Sequence, residues 1–254
     1  MSAIRSASAC GFALAAALLL LPQRTDAAEG VQASSVLELF TSQGCSSCPP
    51  ADALFQKFTA RDDLVALTFN VDYWDHLGWR DTLGSPDNTA RQMAYSRARG
   101  DGRVYTPQVV VSGLKHAVGS REQDIEDAIA RSRKALAERR VGVLLSTEGD
   151  ALIVNVKGQP TGAKPAKGTV WLALYESAVT VAVQRGENHG RDLVYYNVVR
   201  SFTPVGQWMG EPLTLRLPKQ HLVKDGHDGC AVLLQLDSAG PVVGAASLKI
   251  KQLP

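Results

Sequence analysis

The sequence predicts an α/β domain over residues 29–140, followed by an all-β C-terminal domain over 141–254, a sandwich or partly open barrel. Three observations carry this. Residues 36–40 and 64–70 are short, nearly all-apolar runs, each followed by further structure at helical spacing, as in a buried sheet whose strands alternate with helices. From Val141 onward the apolar period drops to two, and no convincing helix interrupts it. Ahead of both, Arg5, the apolar stretch 12–21 and Pro22 read as an export signal, which sets 1–28 apart from the fold.

The first helix is expected over about 48–59, with Ala51, Leu54, Phe55 and Phe58 on one face. Pro49 and Pro50 fix where it begins. Proline is tolerated only in the first helical turn, so Ser47 or Cys48 is the cap and Asp52 falls in the favourable first turn. After the strand at 64–70 comes 71–84, rich in aromatic residues and aspartates. A second helix is expected over 87–99, ended by Gly100, with Ala90, Met93, Ala94 and Ala98 as its quiet face and Arg91, Arg97 and Arg99 exposed. Strands at 108–111 and 115–118 form a hairpin closed by Gly113. A third helix, over about 121–139, is given a capping box by Ser120 and Gln123. The β region is expected to hold strands at 141–146, 151–157, 169–175, 179–184, 193–202, 212–217, 230–236 and 244–250.

Composition excludes some functions. The 254 residues carry 27 basic and 25 acidic side chains, a formal charge of +2, which points to neither a nucleic-acid nor an acidic-membrane partner. Apolar content of 45% and charged content of 20% are ordinary for a soluble globular protein. The apolar core of the leader is too short to span a bilayer, so no stable membrane span is expected after processing. Export places the mature chain in an oxidising compartment, periplasmic or secreted. Cys10 leaves with the leader. Cys45 and Cys48 are close enough to pair, and Cys230, followed by the core-like run 231–234, is expected to be buried and inert.

The two paired cysteines lie between a strand and a helix start. A thiolate at Cys48 meets the positive end of the helix, which lowers its pKa and makes it reactive. Residues 71–84 follow the carboxyl end of the second strand, the sheet edge where open α/β folds bind ligands. Asp72, Tyr73, Trp74, Asp75, His76 and Trp79 are therefore candidates for the wall of a site, or else tie down a long connection. The loop holding Glu187, Asn188, His189 and Arg191 is a candidate contribution from the second half, or a plain hairpin with glycine turns.

The Cys-x-x-Cys at a strand-to-helix junction resembles the thioredoxin superfamily. Gly44-Cys-Ser-Ser-Cys-Pro-Pro-Ala-Asp52, Tyr105-Thr-Pro-Gln108 and Gly186-Glu-Asn-His-Gly-Arg191 resemble the DUF1223 family of secreted bacterial proteins of unknown function. The resemblance implies a thioredoxin-like fold with an added C-terminal region, and a cis bond at Thr106-Pro107 facing the cysteines. It does not imply an established reaction. Ser46-Ser47 replaces the usual Gly-Pro, and no tryptophan precedes the pair.

The leading expectation is thiol–disulfide exchange, with Cys45 attacking and Cys48 resolving, Thr106 and Pro107 alongside, and protein or small-molecule thiols and disulfides as partners. No cofactor is expected. One alternative is a partner-binding protein in which Cys45–Cys48 is a structural disulfide. Another is copper or zinc binding, which needs Cys230 or His76 to approach the pair. His221, Asp225, His227, Asp228 and Cys230 lie close in sequence, but without a specific ligand spacing.

Overall fold

The computed structural model describes residues 29–164, 166–222 and 226–250. Residues 1–28, where the sequence reading expects an export signal, and Asp225 lie outside the described residues. Strand β1 is Val31–Ala33 and β2 is Ser35–Thr41, followed by helix α1, Pro49–Thr59, and β3, Leu64–Asn70. Helix α2 is Pro86–Arg99, β4 is Gln108–Val111, β5 is Lys115–Val118 and α3 is Glu122–Leu136. The second half supplies β6 (Val143–Glu148), β7 (Ala151–Val156), β8 (Gly168–Ala182), β9 (Asp192–Trp208), β10 (Leu213–Pro218), β11 (Gly229–Leu236) and β12 (Val242–Lys249).

Nine of these strands form one sheet in the order β1-β12-β11-β8-β9-β3-β2-β4-β5. Its thioredoxin-like end is β3-β2-β4-β5, with β2 and β3 parallel (Ser35 opposite Leu64, Thr41 opposite Asn70) and β4 antiparallel to β2. Strand β9 joins the outer edge of β3 in parallel at Thr68–Val198, and the antiparallel run β9-β8-β11-β12-β1 continues from there. A second sheet, β10-β7-β6, packs its apolar side chains into the core that Val232, Leu234 and Leu248 also line.

The result is a mixed α/β domain with a curled, partly open sheet. A β domain closed upon itself after residue 140 is not what forms, because β8, β9, β11 and β12 extend the first sheet. The reason is local: β3 is buried along its whole length and would otherwise present an unpaired edge. Period-two alternation reads the same whether strands close among themselves or lengthen another sheet.

Several elements differ from their sequence reading. Residues 29–35, to which the sequence reading assigns no element, contain β1, paired with β12 through Val31–Ser247. The runs at 169–175 and 179–184 are one long strand, and its partner β9 continues to Trp208. Helix α3 is capped by Arg121 without a side-chain bond, so Ser120 and Gln123 form no capping box; a 3-10 turn follows Leu136. Helix α2 starts at Pro86 because Ser85 accepts from the Asn88 N–H. Its inner face is Asn88, Gln92, Tyr95 and Ser96, while Met93 and Ala98 are exposed. That face is polar because it meets polar groups on the sheet. Arg91, expected at the surface, instead pairs with the fully buried Glu38.

Candidate functional site

Strand β2 ends at Thr41, and the chain turns through Ser42, Gln43 and Gly44 to reach Cys45. The Cys45 N–H donates to Ser42 O (3.2 Å) and the Cys48 N–H to Cys45 O (3.1 Å), which folds the Cys-x-x-Cys into a tight loop. Cys48 is the N-cap of α1, with Pro49 and Pro50 as the first helical residues. Its carbonyl accepts from Ala51 N (2.8 Å) and Asp52 N (3.1 Å). Cys45 and Cys48 form a disulfide with their Cα atoms 5.4 Å apart. Cys45 is 2% exposed and Cys48 0%, whereas Ser46 and Ser47 face solvent.

The Thr106-Pro107 peptide bond is cis. Pro107 and Ala51 in the first turn of α1 both flank Gly119: a side chain there would meet Pro107 Cβ and Ala51 Cβ, each at 3.1 Å. Trp74 Nε1 donates to Thr106 Oγ1 (2.8 Å), and Gln92 Nε2 donates to Tyr105 O (2.8 Å). The Tyr105 hydroxyl meets His116 Nδ1 at 2.8 Å, so the segment leading to the proline is held from three sides.

Residues 71–84 hold the loop ahead of the cysteines. Buried Asp81 accepts from Gln43 N (2.7 Å), Leu83 N (2.8 Å) and Asn70 Nδ2 (3.1 Å). Trp79 Nε1 donates to Gln43 Oε1 (2.8 Å). From the second half of the chain, the turn between β8 and β9 reaches the same loop. Asn188, fully buried, donates through Nδ2 to Gln43 O (3.0 Å) and Cys45 O (2.9 Å), and Glu187 Oε2 accepts from Ser46 N (3.3 Å).

A family model described as a protein of unknown function matches residues 36–235. The chain belongs to the DUF1223 family. A crystal structure of an Agrobacterium tumefaciens protein, solved as a structural-genomics target, is 35% identical with a TM-score of 0.76; the match covers 87% of this chain and 96% of that one. HBP35 of Porphyromonas gingivalis shares the fold at 12% identity and a TM-score of 0.58, covering 87% of this chain and 76% of that one. None of the curated proteins compared matches the chain. In this DUF1223 member the Cys-x-x-Cys disulfide is consistent with a thiol–disulfide oxidoreductase active site and with thiol or disulfide partners. No helix among the described residues is long and apolar enough to cross a membrane.

The DUF1223 chain brings only part of the predicted wall to the cysteines. Trp74 and Trp79 reach the proline segment and the loop before Cys45. Asp75 acts one step removed, accepting from Asp81 N (3.0 Å). Tyr73 packs against Trp74 at 5.9 Å between ring centroids. Asp72 instead anchors α2, accepting from Thr89 Oγ1 at 2.6 Å. His76 is exposed, its Nδ1 2.9 Å from Tyr73 O. His189 also faces solvent, and Arg191 steadies Asn188 by donating to its Oδ1 at 3.2 Å. Cys230 is buried on β11 as expected, and burial pushes its thiol up to about 12. Among the described residues no group of three or more His, Cys, Asp or Glu side chains could hold a metal ion.

Sequence reasoning missed the buried acids of this DUF1223 site. Asp52 lies one turn beyond Cys48 on the same inward face, and the spacing of four could have flagged it. Its Oδ1 accepts from Thr41 Oγ1 at 2.7 Å, and its Oδ2 has no protein partner. Burial raises its pKa well above the ordinary carboxylate value; the Thr41 bond opposes this and the Asp81 charge adds to it. Asp81 is raised by burial too, against the bonds from Gln43, Asn70 and Leu83. Tyr195, buried and held neutral first by burial and then by Asp52 and Asp81, completes the group, its hydroxyl also unpartnered.

A stability signature follows from Asp52. In the unfolded chain this acid ionises near pH 4, while the fold favours its neutral form. Ionisation therefore draws the equilibrium toward the unfolded state as pH climbs from about 4 toward the raised folded value. Asp52→Asn keeps the acceptor for Thr41 and removes the ionisation. Its Tm should exceed the parent's by at least about 2 °C at pH 7, with the gap closing at pH 4. A gap that does not change between those pH values would contradict a raised Asp52.

Proposed function

We propose that this protein is an exported thiol–disulfide oxidoreductase acting through Cys45 and Cys48. The observation that carries the reading is the Cys45–Cys48 disulfide closed at the N-terminus of α1, with the cis Thr106-Pro107 bond across Gly119 from the same helix turn. The Cys45 thiolate attacks a sulfur of the substrate disulfide, forming a mixed disulfide and expelling one substrate thiolate. The Cys48 thiolate then attacks Cys45 Sγ, closing the Cys45–Cys48 bond and expelling the second. Two electrons pass from the protein to the substrate, and the reverse sequence oxidises a substrate dithiol.

In its ionised form Asp52 takes the proton from the Cys48 thiol in this scheme, becoming the neutral acid that burial favours. Thr106 and Pro107 line the approach to Cys45, with Trp74 and Trp79 behind them and Glu187, Asn188 and Arg191 over the loop. Residues 1–28 are read as the export signal, which places the chemistry in the periplasm or outside the cell. Residues 29–140 carry the redox pair, and 141–254 supply the covering turn. Leader, disulfide and family membership support that location together.

One observation favours a second reading: both sulfurs are almost fully covered, as in a structural disulfide of a partner-binding protein. Equilibration of the purified mature protein with glutathione and its disulfide separates the two. A redox pair should reach equilibrium with a reduction potential above about −300 mV. A pair that stays oxidised in excess reduced glutathione is structural, and the oxidoreductase reading then fails.

A further inference from the structure

The covering turn has features that a passive hairpin does not need. Beyond their pairing with β11 and β3, strands β8 and β9 continue as a two-stranded hairpin, and Val183, just after β8, joins Leu193, Tyr195 and Val198 of β9 in a small apolar cluster with Trp79 and Leu83. Beyond that cluster the tip, 186–190, is bracketed by Gly186 (φ +77°) and Gly190 (φ +78°). Glycine moves between such backbone states at no steric cost. The tip meets the cysteine loop through side-chain atoms of Glu187 and Asn188, and every partner on the loop is a backbone group: Ser46 N, Gln43 O and Cys45 O. Backbone groups of this kind are readily rehydrated when exposed, and none of these bonds depends on the oxidation state of the sulfurs.

We propose that the Glu187–Asn188 tip is a gate over Cys45: Cys45 reacts only while the tip is lifted, and Asn188 is the residue that sets how often it lifts. This rests on the redox reading of Cys45 but is tested apart from it. Asn188 and Glu187 are positioning residues in this scheme; they touch the loop and take no part in bond exchange. The gate accounts for a pair that is chemically arranged for exchange yet almost closed to solvent.

The test is the rate at which iodoacetamide alkylates Cys45 in the reduced, folded protein, read by peptide mass. Asn188→Ala removes both donor contacts, and Asn188→Asp sets a carboxylate against two carbonyl oxygens. Each should raise the Cys45 rate about tenfold or more, as expected for losing two modest hydrogen bonds from the closed state. Arg185→Ala, an exposed change at the root of the same turn, should match the parent. Hydrogen exchange of the Ser46 amide in the unmodified protein provides a second readout that no variant can spoil. It should be far faster than the exchange of core amides in β2.

Alkylation rates equal to the parent's in both Asn188 variants would overturn the gate, as would a Ser46 amide that exchanges only with global unfolding. If alkylation accelerates as expected but glutathione never equilibrates with the pair, the gate stands and the oxidoreductase reading falls.

Discussion

Cys45→Ser protein should lose disulfide exchange by on the order of 10³-fold or more, because the other thiols among the described residues, Cys48 and Cys230, are fully buried. Cys48→Ser protein should lose turnover to a similar degree but keep the attack, accumulating a mixed disulfide on Cys45. The two cysteines are not equivalent in the fold. Cys48 is the cap residue of α1 and is sealed completely, so its thiolate gains most from the helix start but meets no substrate. Cys45 is marginally exposed, lies in the loop ahead of the helix, and has the Ser47 hydroxyl 3.4 Å from its sulfur. Mass spectrometry of each variant after incubation with glutathione disulfide reads the outcome. An adduct forming on Cys48 in the Cys45→Ser protein, with none on Cys45 in its counterpart, would reverse the assigned roles.

Arg91→Ala should destabilise the fold by about 3–5 kcal/mol, the usual cost of leaving one member of a buried ion pair alone. Glu38 sits on central strand β2 with no exposure, and both its oxygens accept from Arg91, Oε2 from Nε and Oε1 from the second guanidinium nitrogen at 3.0 Å. The Tyr95 hydroxyl also donates to Glu38, and Gln235 bonds both Tyr95 and Arg91. The guanidinium lies 4.2 Å from the Phe202 ring centroid and 4.9 Å from that of Tyr95. Without Arg91 the Glu38 carboxylate either ionises in a dry site or takes a proton, and both are costly. Arg91→Met combined with Glu38→Gln should recover much of the loss, since neither charge then remains. Urea unfolding of the single and double variants measures this. A loss below about 1 kcal/mol for Arg91→Ala would mean that the pair is hydrated in solution.

Much of the site was legible in the sequence because its signals are local. The double proline after Cys48 leaves few places for the helix to start, and Cys48 is indeed its cap. Period and punctuation located α1, β3, β4 and β5 to within a residue or two. The partners of these elements were less visible, since partnership across a sheet depends on edges and not on local pattern. Strand β9 adds to β3 because β3 needs cover on that side, and nothing in residues 192–208 names β3 as its neighbour. The inner face of α2 was misread for a related reason. Ala90, Met93 and Ala94 have the spacing of a buried stripe, but the surface that receives the helix offers Glu38, Gln108 and Gln235, so Gln92, Tyr95 and Arg91 turn inward. Asp81 gave no signal, being one aspartate among several in an irregular loop.

The pairing of β1 with β12 ties residue 31 to residue 247. Contacts so distant along the chain make folding slow, because a long loop must close before the bonds that hold it can form. The first strand has no mate until almost the entire polypeptide has emerged. A protein that is to be threaded through a membrane as an extended chain gains from that delay, since its final closure waits until the far side has been reached.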